Sequence, residues 1–246
     1  METQKIQDSQ ILYNLGNKYI EKKNYNEAKR YYELAAKQNN TDALMKLGIL
    51  YRDGLGVKKD PNKTFKYFEL AAKLGNDNAL FYLSIFYQNG FGTKKNINRA
   101  RRYYKLAVRY GVSEAMTNLG LYYANENNIE LAKYYWGISS NSKAQYNLGI
   151  IYQNEKNYNE AKKCYELAAN QGHSDAILAI GKLYLNGLGV EENIDIALDY
   201  IINSARLGNN NALQIINETI EAFNGANEEF EIENIRNKIS CSSKVY

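Results

Sequence analysis

The residues of this chain that could do chemistry are few. Three stretches, "GLGVKKDPNKT" from Gly54, "GFGTKKNINRA" from Gly90 and "GLGVEENIDIA" from Gly187, join a Gly-x-Gly to charged residues in the manner of a phosphate-cradling loop. Such a loop follows a strand and opens a helix, so that backbone amides and the helix N-terminus face the anion. Here no Gly-Lys-Ser/Thr follows, and the next helix is capped downstream of the glycines by Asp60, Asn96 or Asn193. The glycines read as turn residues. His173 is the only histidine, and Cys164 and Cys241 are the only cysteines. They offer neither a His/Cys zinc set, nor a CxxC pair, nor a disulfide framework. His173, beside Gly172, reads as a solvated residue and Cys164 as a core filler. No catalytic residue, metal ligand or cofactor site is assigned, and the chain is expected not to be an enzyme.

The elements that place these residues come from an internal repeat. "TDALMKLGILY" (41–51), "DNALFYLSIFY" (77–87), "SEAMTNLGLYY" (113–123), "SKAQYNLGIIY" (142–152) and "SDAILAIGKLY" (174–184) are copies of one unit. An alanine opens each copy at Ala43, Ala79, Ala115, Ala144, Ala176 and Ala212, with Ile11 in its place in the first. A Leu or Ile follows at +4 and, in the six full copies, a tyrosine at +8, which lays an apolar stripe along one face of a helix, here helix A. The glycine after the +4 residue (Gly16, Gly48, Gly120, Gly149, Gly181) costs helix propensity, about 1 kcal/mol against alanine. It implies close approach of a second helix. That second element, helix B, carries Ala28, Thr64, Ala100, Ala132, Ala161 or Ala197, then aromatic pairs such as Tyr31–Tyr32 and Tyr67–Phe68, then small residues. Large rings opposite small residues are the ridges and grooves of packed antiparallel helices.

N-cap residues support the register. Asn24, Asp60, Asn96, Asn128, Asn157 and Asn193 precede helix B, and Ser9, Thr41, Asp77, Ser113, Ser142, Ser174 and Asn210 are read as the caps of helix A. Asn39, Gly75, Gly111, Gly172 and Gly208 suit the left-handed position that ends helix B. Between Ala132 and Ala144 the usual turn is missing, so helix B of the fourth copy should end early, with Trp136 covering the seam.

The pattern A-x-x-x-L-G-x-x-Y-x-x-G-x-G-V-x-x-D, completed by K-A-x-x-Y-x-x-A-A-x-x-G, resembles the Sel1-like repeat family, relatives of the tetratricopeptide repeats, and residues 43–75 follow it almost throughout. The resemblance implies an all-α, right-handed α-solenoid of stacked antiparallel helix pairs. The expected boundaries are a polar tail over 1–8, six repeats plus a seventh helix A over 9–224, and a capping segment and tail over 225–246. Phe230, Ile232, Ile235 and Ile239 would supply the apolar face of that cap. The cysteine-rich secreted branch, associated with β-lactam binding or hydrolysis, pairs cysteines in each repeat, and this chain does not.

The resemblance also implies a non-enzymatic adaptor or scaffold that binds proteins or peptides in a concave groove. By analogy with tetratricopeptide repeats, positions two, six and nine after the helix A alanine would line it. The partner-binding residues expected are Met45, Ile49, Arg52, Phe81, Tyr82, Ile85, Gln88, Leu121, Tyr146 and Ile150. Packing between successive A helices is the competing explanation of their apolar character. Phe81 and Tyr82 stand where the repeat varies and would anchor a peptide, with acidic flanks pairing to Arg52.

Residues 1–112 hold 21 Lys and Arg against 10 Asp and Glu, whereas residues 113–246 hold 10 against 17. Such a gradient can steer an acidic partner or favour head-to-tail association. The basic run "NRARRYYKLAVRY" raises nucleic-acid binding as an alternative. It is disfavoured because Tyr103 and Tyr104 occupy core ring positions. No apolar run is long enough to span a membrane and the N-terminus lacks the pattern of a signal peptide, so the expectation is a cytoplasmic protein. Partner identity and oligomeric state are left open.

Overall fold

A computed structural model describes residues 2–226. The expected capping segment, with Phe230, Ile232, Ile235 and Ile239, and Cys241 lie outside the described residues. Thirteen α-helices and no strand occur among those described. The A helices are α1 (Glu2–Glu21), α3 (Thr41–Asp53), α5 (Asp77–Asn89), α7 (Ser113–Asn125), α9 (Ser142–Asn154), α11 (Ser174–Leu185) and α13 (Asn210–Ala226). The B helices are α2 (Tyr25–Ala36), α4 (Pro61–Lys73), α6 (Ile97–Arg109), α8 (Ile129–Gly137), α10 (Tyr158–Ala169) and α12 (Ile194–Arg206). The fold is the all-α solenoid of helix pairs that the repeat implies. It divides into two units, residues 1–119 and 120–246, with the boundary inside α7.

Each helix B is sandwiched between its own helix A and the next one. In the first unit, Ala28, Tyr32 and Ala35 of α2 meet Ala43, Leu47 and Leu50 of α3, and Phe68 and Ala71 of α4 meet Ala79, Leu83 and Phe86 of α5. In the second, Ala161, Tyr165 and Ala168 of α10 meet Ala176, Ile180 and Leu183 of α11. The repeat alanine of helix A thus packs on the preceding helix B. Ile11, at the equivalent position of α1, is 53 % exposed, whereas Ala43, packed on α2, is fully buried. Tyr32, Phe68 and Tyr165 are essentially inaccessible, and burying each ring contributes on the order of 2–3 kcal/mol.

The helix A glycines have the role their cost implied. A Cβ on Gly16, Gly48 or Gly149 would lie 2.4–2.5 Å from the ring of Tyr32, Phe68 or Tyr165. Beside these rings, the tyrosine near the end of helix A stacks on the aromatic three residues after the helix B alanine or Thr64: Tyr51 on Tyr67 at 5.7 Å, Tyr87 on Tyr103 at 5.5 Å, Tyr123 on Tyr135 at 5.5 Å and Tyr184 on Tyr200 at 5.9 Å. Cys164 takes that position in α10. It is buried as expected, and burial pushes its thiol up to about 11, which removes it as a nucleophile near neutral pH.

The caps hold a correction. All six helix B caps accept a hydrogen bond as read, from the N–H three residues on. For helix A the cap lies one residue earlier than expected: Asn40, Asn76, Asn141 and His173 are the caps of α3, α5, α9 and α11, and Asn209 Oδ1 accepts from Ala212 N–H at 3.1 Å. Thr41, Asp77, Ser142 and Ser174 are first helical residues instead. For Asn76 and Asn209 the reason is tertiary. Asn76 also donates through Nδ2 to Thr41 Oγ1 (3.2 Å) and Asp42 Oδ1 (3.1 Å), and Asn209 donates to Asp175 Oδ1 (2.7 Å). One amide both caps its own helix and ties it to the preceding repeat. Ser9 is no cap either, since α1 already begins at Glu2 and Ser9 is buried within it. His173 is half-buried, not solvated: its Nδ1 accepts from Ala176 N–H and its ring stacks on Tyr146 at 4.7 Å.

Helix α8 does end early, at nine residues against 12 or 13 in the other B helices. The Trp136 indole lies over Gly120, where the other copies place their ring. Gln145 bridges the joint, donating through Nε2 to the carbonyl of Ser139 (2.6 Å) and to that of Trp136 (3.3 Å), which also accepts from Ser139 N–H (3.3 Å).

Candidate functional site

The Gly-x-Gly loops resolve first. Gly54 and Gly90 take φ of 75° and 74° immediately after α3 and α5, and their N–H groups return to Leu50 and Phe86 carbonyls as ordinary left-handed caps. The second glycine has a different cause: a Cβ on Gly92 would stand 2.0 Å from the Pro61 carbonyl oxygen, because the loop lies against the start of α4. At the far end Asp60 N–H closes on Tyr51 O (3.0 Å), and the Asp60 carboxylate accepts from Lys63 N–H (3.0 Å). A carboxylate already fills the place at the N-terminus of α4 where a phosphate would sit. The loops are structural turns.

The A helices form the hollowed face in each unit. In the first, a cleft of about 360 Å³ is lined by Tyr13 of α1, Asp42, Met45, Lys46 and Ile49 of α3, Asn76, Asn78, Phe81 and Tyr82 of α5, and Glu114 of α7. In the second, a cleft of about 210 Å³ is lined by Tyr146, Ile150, Gln153 and Asn154 of α9, Tyr165 of α10, Asp175, Leu178, Ala179 and Lys182 of α11, and Asn211. Six of the expected groove residues therefore line clefts: Met45, Ile49, Phe81 and Tyr82 in one, Tyr146 and Ile150 in the other. All six are half-buried, packed at one edge and open at the other. Phe81 lies 6.2 Å from the Tyr104 ring, and Tyr82 lies 4.9 Å from Phe68.

Four expected residues fall elsewhere. Ile85 is half-buried outside the cleft lining, and Leu121 is 47 % exposed. Gln88 accepts from the Tyr104 hydroxyl at 2.7 Å. Arg52 is held by its chain neighbour Asp53 through two bonds of 2.8 and 2.9 Å, which raises the guanidinium and lowers the carboxyl from their usual ranges. It is no free cation awaiting an acidic ligand.

Reasoning from the sequence missed the residue just before five of the six helix A alanines: Asp42, Asn78, Glu114, Asp175 and Asn211 all reach a cleft. The signal was present, since positions −1, +2, +3 and +6 about the alanine form one continuous helical stripe. Two of these carboxylates, Asp42 and Asp175, are fixed by the amides of Asn76 and Asn209. Burial, then the charge of Asp175, raises the Tyr146 phenol above its usual range, and burial lowers His173.

Among the described residues no group of three His, Cys, Asp or Glu could hold a metal ion, and no helix is long and apolar enough to cross a membrane. Tyr104 is buried, as expected of a core ring. Tyr103 is only half-buried and stands at the edge of a hollow on the B-helix side.

The comparisons with known proteins agree with this architecture. The Sel1 repeat model matches residues 41–76, 77–109, 113–141, 142–173 and 174–209, and a tetratricopeptide repeat model matches residues 9–42. The chain belongs to the Sel1 repeat family, whose members are generally protein-interaction scaffolds and typically non-enzymatic. No curated protein matches it in sequence. A Sel1 repeat protein from Oxalobacter formigenes superposes with a TM-score of 0.75 at 27 % identity, over 83 % of this chain and 88 % of its own. The pilF protein of Pseudomonas aeruginosa shares the fold at a TM-score of 0.62 and 18 % identity, over 87 % and 99 % of the two chains. An immunity protein from the same organism does so at 0.54 and 21 %, over 75 % and 74 %.

Proposed function

We propose that this protein is a non-enzymatic scaffold that captures a partner polypeptide on its A-helix face, the first unit's cleft receiving apolar anchor side chains. The observation that carries this reading is the cleft itself. Met45, Ile49, Phe81 and Tyr82 present an apolar floor that the fold leaves half open, within a rim of Asp42, Lys46, Asn78 and Glu114. An open apolar floor with a polar rim is the anatomy of a peptide-binding groove, and large aromatics are frequent hot spots. The rim carries two carboxylates against one ammonium, and Arg52 is engaged by Asp53. Acidic flanks on the ligand therefore gain nothing at this cleft, and the segment it fits has apolar anchors with neutral or mixed flanks.

A displayed library of peptides, selected on the full chain, tests this. Selected peptides should share spaced apolar anchors, and Phe81→Ala/Tyr82→Ala should weaken their binding at least about tenfold while the helical circular dichroism is retained. Undiminished binding by the folded double variant would overturn the assignment of this cleft.

A further inference from the structure

The third and sixth repeats carry opposite charges on the same backbone. Lys94-Lys95-Asn96-Ile97-Asn98-Arg99-Ala100-Arg101-Arg102-Tyr103 and Glu191-Glu192-Asn193-Ile194-Asp195-Ile196-Ala197-Leu198-Asp199-Tyr200 align without a gap. Asn96 and Asn193 cap α6 and α12 with matching dihedrals, φ −153° and −150°, and each accepts from the N–H three residues on at 2.9 Å. The geometry that presents Lys94, Lys95 and Arg102 to solvent in one unit presents Glu191, Glu192 and Asp199 in the other, and all six are exposed. Residues 94–109 contain seven Lys and Arg and no acid, and the aligned residues 191–206 contain four Asp and Glu against one base, Arg206.

The two edges also differ in relief. Beside the basic edge lies a hollow of about 430 Å³ lined by Glu69, Tyr87, Arg99, Arg102, Tyr103 and Leu106. At the acidic edge Ile194 and Ile196, 59 % and 38 % exposed, stand out between the carboxylates. One is an apolar hollow with a cationic rim, the other an apolar knob with an anionic rim.

From this complementarity we propose that the basic edge of α6 receives the acidic start of α12 from a second copy of this chain, giving head-to-tail self-association. Ile194 or Ile196 of one molecule enters the hollow against Tyr87, Tyr103 and Leu106 of the other, and Glu191 and Glu192 face the lysines and arginines of its rim. Exposed ion pairs contribute little individually, but several facing charges act together, so they supply the salt-sensitive part of the affinity and the orientation, and the apolar insertion alone is too small to hold the contact. The contact is heterologous, and each molecule keeps one edge free to extend the chain. A nucleic acid fits the hollow less well. One face of the Tyr103 ring, on which a base would stack, is already covered by Tyr87, 5.5 Å away and 13° from parallel.

Sedimentation velocity of the full chain tests the proposal. At roughly 20 mM salt the average mass should rise with protein concentration, and at roughly 0.5 M salt, where screening is short-ranged, it should fall to the monomer. Lys95→Glu/Arg102→Glu and Glu191→Lys/Glu192→Lys should each be monomeric alone. Mixed, the two variants should form a 1:1 complex, because the first keeps an intact acidic edge and the second an intact basic one. That complex also shows that both variants are folded. A wild type that stays monomeric at low salt, a mixture that does not pair, or association surviving in either variant would overturn the proposal. So would single-stranded RNA binding that Lys95→Glu/Arg102→Glu abolishes in a chain whose mass does not change with concentration.

Discussion

Replacing Gly149 by alanine separates two opposed effects whose sizes the structure fixes. Alanine gains helix propensity, about 1 kcal/mol. Its Cβ, however, would lie 2.5 and 2.6 Å from Cε1 and Cδ1 of Tyr165, where ordinary contact begins near 3.4 Å. The ring would have to withdraw by about 1 Å, and it is 1 % exposed with its hydroxyl donating to Gln153 Oε1 at 2.7 Å. Overpacking of this kind costs about 1–3 kcal/mol, and weakening the hydroxyl bond about 1 kcal/mol more. The net expectation is a loss of about 1–3 kcal/mol, the packing terms outweighing the propensity gain. Gly181→Ala is the internal control. There Ile201 stands in place of the ring, and the nearest atoms are 3.1–3.2 Å away. A shift of a few tenths of an ångström suffices, so the two effects should nearly cancel. Urea unfolding followed by the fluorescence of Trp136, the only tryptophan and part of the same unit, alongside circular dichroism, would measure both variants. If Gly149→Ala is as stable as the wild type, or Gly181→Ala is the more damaging, the packing argument is wrong.

Three further outcomes are expected. Lys156 holds φ of 61° in the short turn before α10, so Lys156→Gly should stabilise by roughly 0.5–1 kcal/mol; a lower urea midpoint at unchanged slope would contradict this. Gln145→Ala removes the side-chain donor of the buried Ser139 carbonyl and one of the donors to that of Trp136, which keeps Ser139 N–H, and should cost about 1–3 kcal/mol, read as earlier unfolding by Trp136 fluorescence. His173 caps α11 through an unprotonated Nδ1, and burial holds its folded pKa below the ordinary value. Its contribution is present above the unfolded value of about 6.5 and is lost as pH falls through the lower folded value. The melting temperature should therefore drop between about pH 7.5 and 5.5, and His173→Asn, which keeps a cap without a titrating ring, should flatten that slope. An equal drop in both proteins would exclude His173 as the cause.

The helix pairs, their register and most of their ends were legible in the sequence, because they rest on local physics repeated six times. Alanine, leucine and tyrosine at helical spacing define a face, an asparagine or aspartate opens each helix B, and glycines or asparagines end it. That Gly149 lets a neighbouring helix come close, and that Cys164 is a filler, followed from the same alignment, whereas the pairing of Gly149 with the Tyr165 ring is seen only in the fold. Other features were decided between repeats, where sequence spacing gives no distance. Asn40 and Thr41 are both good caps by composition, and in the equivalent pair Asn76 and Asp77 it is the bond from Asn76 to Asp42 of the previous repeat that favours the earlier residue. Arg52 looked free until its neighbour Asp53 turned out to hold it. His173 looked solvated until Tyr146, 27 residues away in sequence, supplied a face to stack on. Whether Phe81 and Tyr82 were core or groove depended on how far apart α3, α5 and α7 stand. The repeat pattern names which side chains share a face, and only the packing of neighbouring helices leaves that face half open.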